Sequence, residues 1–126
     1  MLRIRFLEVS IIIRLSCDVE ELVALIDVYR KSENKSAEQI ETELLALSKV
    51  LSVRAQRLGI EHDEKYRNLN GMKIMFQNVV YIATNGQRGM SASSSSMRKV
   101  YGLLNSTPEV FELILEEFAQ RYKNER

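Results

Sequence analysis

The run from Ser36 to Gly59 constrains this chain more than any other. Ser36-Ala-Glu-Gln39 has the form of a capping box, with a hydroxyl at the helix start and an amide three residues later reaching back to it. Ile40, Leu44, Leu47, Leu51, Ala55 and Leu58 follow at intervals of three or four. That spacing lines one face of an α-helix. Arg54 and Arg57 fall in its last turns, where positive charge favours the dipole, and Gly59 can close it in the left-handed conformation. A helix of this length must bury its apolar stripe against other elements. The rest of the 126 residues holds one proline and five glycines in all, too few breaks for a strand-rich fold with frequent turns. The expected class is all-α.

Four further helices are legible. Asp18-Val-Glu-Glu21 is a second capping box, and Leu22, Leu25, Ile26 and Tyr29, flanked by Val23 and Val28, predict a helix over 18–31. "KSENK" reads as a polar loop. Asn68 or Asn70 caps a third helix with Met72, Met75, Phe76, Val79, Val80 and Ala83 on its inner face. Ile74 and Ile82 add apolar surface at its flanks, so it is expected to be the most buried helix. Asn85-Gly86 stops it. Met97, Val100, Tyr101 and Leu104 mark a shorter fourth stripe. Thr107 and Pro108 then open a fifth, with Val110, Phe111, Ile114, Leu115, Phe118 and Tyr122 facing a core. The expectation is about five helices in a compact orthogonal bundle, one helical domain over 17–126. Residues 1–16 are expected to form a peripheral extended segment, since Leu2, Ile4 and Phe6 alternate with Arg3 and Arg5, or else an upstream extension that adds little to the fold.

The apolar run in residues 1–16 is interrupted by charges, too short to span a bilayer and without a small-x-small cleavage site. With Cys17 alone, no internal disulfide forms, and a cytoplasmic protein without a membrane partner is expected. Net charge is +1, but residues 17–48 sum to −5 and residues 49–99 to +6. Two readings follow: the basic middle meets an anionic partner, or the acidic first half folds against it.

Catalytic patterns are missing. His62 lies between Glu61 and Asp63 and reads as a surface histidine, so no metal is expected. "NGQRGM" lacks the Gly-Lys-Ser/Thr of a phosphate-binding loop. The serines at 93–96 have no activating base nearby, and Glu116 and Glu117 sit together as a solvated helix end. The chain is expected to be no enzyme by itself and to use no cofactor.

The stretch "YRNLNGMKIMFQNVVYIATNGQRGMSASSSSMRKVY" resembles a module found at the N-terminal side of HNH-type endonucleases and related bacterial restriction and defence proteins. There an aromatic-R-N-x-x-G turn leads into a helix ending near N-x-x-Y-x-x-T-x-G, and a G-L/M-S loop opens the next helix. The first helix, "EELVALIDVY", and the "LSKVL" of the second are also similar, so the likeness runs over roughly residues 18–122. In "SASSSS" the chain departs from the pattern, where the loop more often carries a Lys shortly after its Ser; Arg98 and Lys99 come a little later. The resemblance implies an accessory module, either part of a longer nuclease or standing beside a nuclease partner chain.

Elementary chemistry gives that likeness a form. Arg67 offers a planar fork of donors that suits phosphate, Lys73 lies close by, and Gly71 lets backbone approach a ligand at a helix start. With Asn68 as the cap, Asn70 is free. Gly86 and Gly89 permit left-handed turns, and Arg88, Ser91 and Ser93 suit phosphate contacts. The expected nucleic-acid-binding set is Arg67, Asn70, Lys73, Arg88, Ser91, Arg98 and Lys99, with Arg54 and Arg57 secondary. The same residues also admit a structural reading, in which Arg67 pairs with the acidic first helix, Asn68, Asn78 and Thr84 satisfy backbone, and Gly71 lets two helices pack closely. The rival function is a protein-interaction module, a possible homo-oligomer in which the acidic first helix of one copy meets the basic middle of another.

Overall fold

The computed structural model describes residues 19–59, 68–91 and 95–123. The segment 1–16, Cys17, His62, Arg67 and Ser93 lie outside them. All regular structure among the described residues is helical. Five α-helices follow in order: α1 (Val19–Arg30), α2 (Ala37–Leu58), α3 (Leu69–Ala83), α4 (Ser95–Ser106) and α5 (Pro108–Phe118). A π-helical turn, Ala119–Lys123, continues α5.

Local chemistry sets the helix ends. The Ser36 side chain accepts the Gln39 N–H at 3.2 Å while Gln39 Oε1 accepts the Ser36 N–H at 2.8 Å, so the box at the start of α2 is closed in both directions. Gly59 ends α2 at φ 71°, its N–H turned back to Ala55 and Gln56. Asn68 caps α3 through Oδ1, which accepts the Gly71 N–H at 2.9 Å. Pro108 starts α5 as expected, but Thr107 makes no side-chain cap bond.

The chain forms two compact units, Leu25–Ala92 and Met1–Ala24 with Ser93–Arg126. In the first, α2 packs on α3. Leu44, Leu47, Leu51 and Ala55 are buried there with Met72, Phe76, Val79 and Val80. Each of the larger side chains contributes about 1.5–3 kcal/mol by leaving water. In the second, α4 packs on α5 around buried Met97, Val100, Val110, Phe111, Ile114 and Phe118. The Phe118 and Tyr122 rings meet at 5.5 Å across the π-helical turn.

One expectation about the core is corrected. The most buried helix is α1, not α3: every residue from Val19 through Val28 is buried. Its stripe wraps the whole circumference, because Glu20, Glu21 and Asp27 are buried along with the apolar residues. By contrast α3 exposes Lys73, Ile74 and Gln77, and Ile74 is 51% exposed. Counting apolar residues ranked α3 first because burial of carboxylates has no signature in a hydrophobic pattern.

Candidate functional site

Between α3 and α4 the backbone folds into a tightly bonded loop, residues 84–91. The helix ends in a Schellman arrangement: the Gly86 N–H donates to Tyr81 O at 2.8 Å and the Asn85 N–H to Ile82 O at 3.3 Å. Asn85 takes φ 54° and Gly86 φ 84°. A side chain on Gly86 would sit 3.3 Å from the Tyr81 ring. Thr84 then bridges the turn, its Oγ1 donating to Val80 O at 2.8 Å and accepting the Arg88 N–H at 3.0 Å. Beyond Arg88 the chain returns to the side of α3. The Met90 N–H donates to Gln77 O, and Asn78 Nδ2 donates to both Met90 O and Ser91 O at 3.1 and 3.3 Å.

Gly89 makes that return possible. It has φ 81°, and a Cβ there would lie 2.4 Å from Gln77 O and 2.7 Å from Tyr81 N. Only a residue without a side chain brings the loop this close to the helix. Asn78, Tyr81, Thr84, Gly86 and Gly89, the residues that made this stretch look particular, therefore all hold one loop in place, and the loop carries Arg88 at its surface.

The start of α3 is differently employed. Gly71 meets the cap: among the described residues a Cβ there would meet Asn68 Oδ1 alone, at 3.3 Å, so it accommodates the capping carboxamide. The first-turn N–H of Gly71 is already bonded. Asn70 is exposed. Lys73 is half exposed and its Nζ lies 3.0 Å from Glu41 Oε2 of α2.

Arg88 stands beside a cleft of about 580 Å³ within the Leu25–Ala92 unit. Tyr29 and Phe76 line it, their ring centroids 6.0 Å apart and tilted by 58°. Arg30, Lys35 and Arg88 supply positive charge and Glu33 negative. Two of those cations are matched internally: Arg30 Nε to Asp27 at 2.8 Å, and Lys35 to Glu43. Arg88 and Glu33 are exposed, and among the described residues neither has an ion-pair partner. The cleft thus presents one unmatched guanidinium and one unmatched carboxylate around a partly aromatic wall.

The remaining candidates fall on several elements. Ser91 is exposed next to Met90. Arg98 and Lys99 are exposed on α4, in the other unit. Arg57 is exposed in the last turn of α2, whereas Arg54 is only 2% exposed, which removes it as a surface contact for phosphate. Most of the acidic stretch and most of the basic stretch share one compact unit. The Leu25–Ala92 unit carries eight acidic and ten basic residues, a net of +2. Nor does α1 keep an acidic face: Glu20 pairs with Arg121 at 3.1 Å, and Asp27 with Arg30 and Lys31. Sequence reasoning missed Tyr29, Arg30, Glu33 and Lys35 as neighbours of Arg88, because they stand far from it along the chain and share no motif with it.

Among the described residues no group of three His, Cys, Asp or Glu side chains converges as a metal site, and no helix is long and apolar enough to cross a membrane. No family model, no curated protein and no solved structure matches this chain.

Proposed function

We propose that this chain is a non-catalytic DNA-interaction module of the kind that accompanies HNH-type nucleases in bacterial defence, gripping phosphate mainly through Arg88. The observation that carries this reading is the loop 84–91. Its hydrogen bonds hold the backbone on both sides of Arg88, so an exposed guanidinium with no described carboxylate partner is presented on a stiff support. Guanidinium groups bind phosphate oxygens in a bidentate fork, and little ordering entropy remains to be lost when the backbone is already fixed. Arg98 and Lys99 are exposed on α4 and give the other unit positive charge of its own. Lys73 contributes less, because Glu41 holds its ammonium. The rival reading, oligomerisation through an acidic first helix, needs carboxylates on the surface of α1, and Glu20, Glu21 and Asp27 are buried.

Fluorescence anisotropy with a labelled duplex, titrated between about 50 and 200 mM salt, tests the proposal. The affinity falls steeply as salt rises, with a slope of about 0.9 per phosphate neutralised. Arg88→Ala lowers the affinity several-fold at low salt, reduces that slope by about one and leaves helicity unchanged. An absence of binding at about 50 mM salt, or an unchanged slope in Arg88→Ala, refutes it.

A further inference from the structure

We infer that the cleft beside the Arg88 loop seats a single unpaired nucleotide, with its phosphate on Arg88, its base against Tyr29 and an exocyclic base amine on Glu33. This deepens the DNA reading above. A cleft of about 580 Å³ is of the size that holds one small ligand rather than a duplex. Its two unmatched charges, Arg88 and Glu33, are of opposite sign. A run of phosphates alone would leave the Glu33 carboxylate without a donor, whereas a ligand with one phosphate and one amine can use both groups.

The other lining groups point the same way. Tyr29 is half-buried, and its ring meets the buried Phe76 ring at a tilt where both line the cleft. Aromatic rings of this kind take the flat face of an unstacked base. Arg30 and Lys35 are already bonded to Asp27 and Glu43, which leaves Arg88 as the phosphate residue. A carboxylate accepts from the amine of cytosine and is repelled by the carbonyl that thymine carries at the same position. The seat therefore prefers a base with an exocyclic amine.

Amide chemical-shift titrations of the intact chain with dCMP, dTMP, deoxycytidine and inorganic phosphate test this. The expected result is a saturable shift of the Ser32, Gly89 and Met90 amides with dCMP, at least about five-fold tighter than with dTMP. Deoxycytidine binds about ten-fold more weakly for want of the phosphate. Glu33→Gln, an exposed change in a loop, brings the dCMP-to-dTMP ratio near one, while Arg88→Ala weakens both nucleotides alike. No shift at these amides, no preference between the two bases, or equal shifts with phosphate alone would overturn the seat. Duplex binding without nucleotide shifts overturns the seat and leaves the DNA reading standing. Nucleotide shifts without any duplex affinity uphold the seat, identify a free nucleotide as its ligand and remove the DNA reading.

Discussion

Replacing Gly89 with alanine isolates the contact on which the whole loop depends. Two costs arise. The first is conformational: an L-residue at φ 81° is strained by about 1–2 kcal/mol. The second is steric, since the new methyl would stand 2.4 Å from Gln77 O and 2.7 Å from Tyr81 N, both backbone atoms of α3 that cannot turn aside. Relief requires the loop to lift, which breaks the Met90 N–H bond to Gln77 O and the two bonds from Asn78. Each such bond is worth about 0.5–1.5 kcal/mol net. The exposed pair from Asn78 sits at the low end of that range, so the total is about 2–4 kcal/mol. Gly59 supplies the control. It has φ 71°, and among the described residues nothing lies within 4 Å of its Cβ position, so Gly59→Ala carries the conformational cost alone, about 1 kcal/mol. Urea denaturation followed by circular dichroism measures both, and hydrogen exchange at the Met90 amide reports the loop directly. Equal destabilisation by the two substitutions, with Met90 protection unchanged in Gly89→Ala, would refute the close approach and with it the stiff presentation of Arg88.

Further outcomes follow from the contrast between exposed and buried pairs. Lys73→Ala removes an ion pair that is about half exposed on both sides, and costs no more than about 1 kcal/mol in chemical denaturation. Arg121→Ala takes one partner from the Glu20 carboxylate, which is only 4% exposed, and costs about 1–2 kcal/mol although the two bonds have nearly the same length; a loss no larger than that of Lys73→Ala would show that burial is not what separates them. Ser36→Ala opens the capping box of α2 and costs about 1 kcal/mol, visible as a lowered urea midpoint with an unchanged slope.

What a segment can satisfy within itself was determined by its sequence. Ser36 and Gln39, Gly59, and Asn68 with Gly71 all settle helix ends by bonds that reach four residues or fewer, so their positions could be read in order. The turn after α3 was foreseeable in the same way, because Asn85, Gly86 and Gly89 are the residues that tolerate positive φ. The partners of the charges were decided by the tertiary structure alone. Whether Lys73 met a phosphate or a carboxylate depended on Glu41 coming alongside from another helix, and whether α1 showed an acidic face depended on how completely it was enclosed. The cleft is of the same kind, since Tyr29, Glu33 and Arg88 come to line it through the packing of separate segments. Hydrogen bonding along a helix is local and leaves a periodic trace, while the pairing of side chains across helices is set by the three-dimensional path of the chain and leaves none.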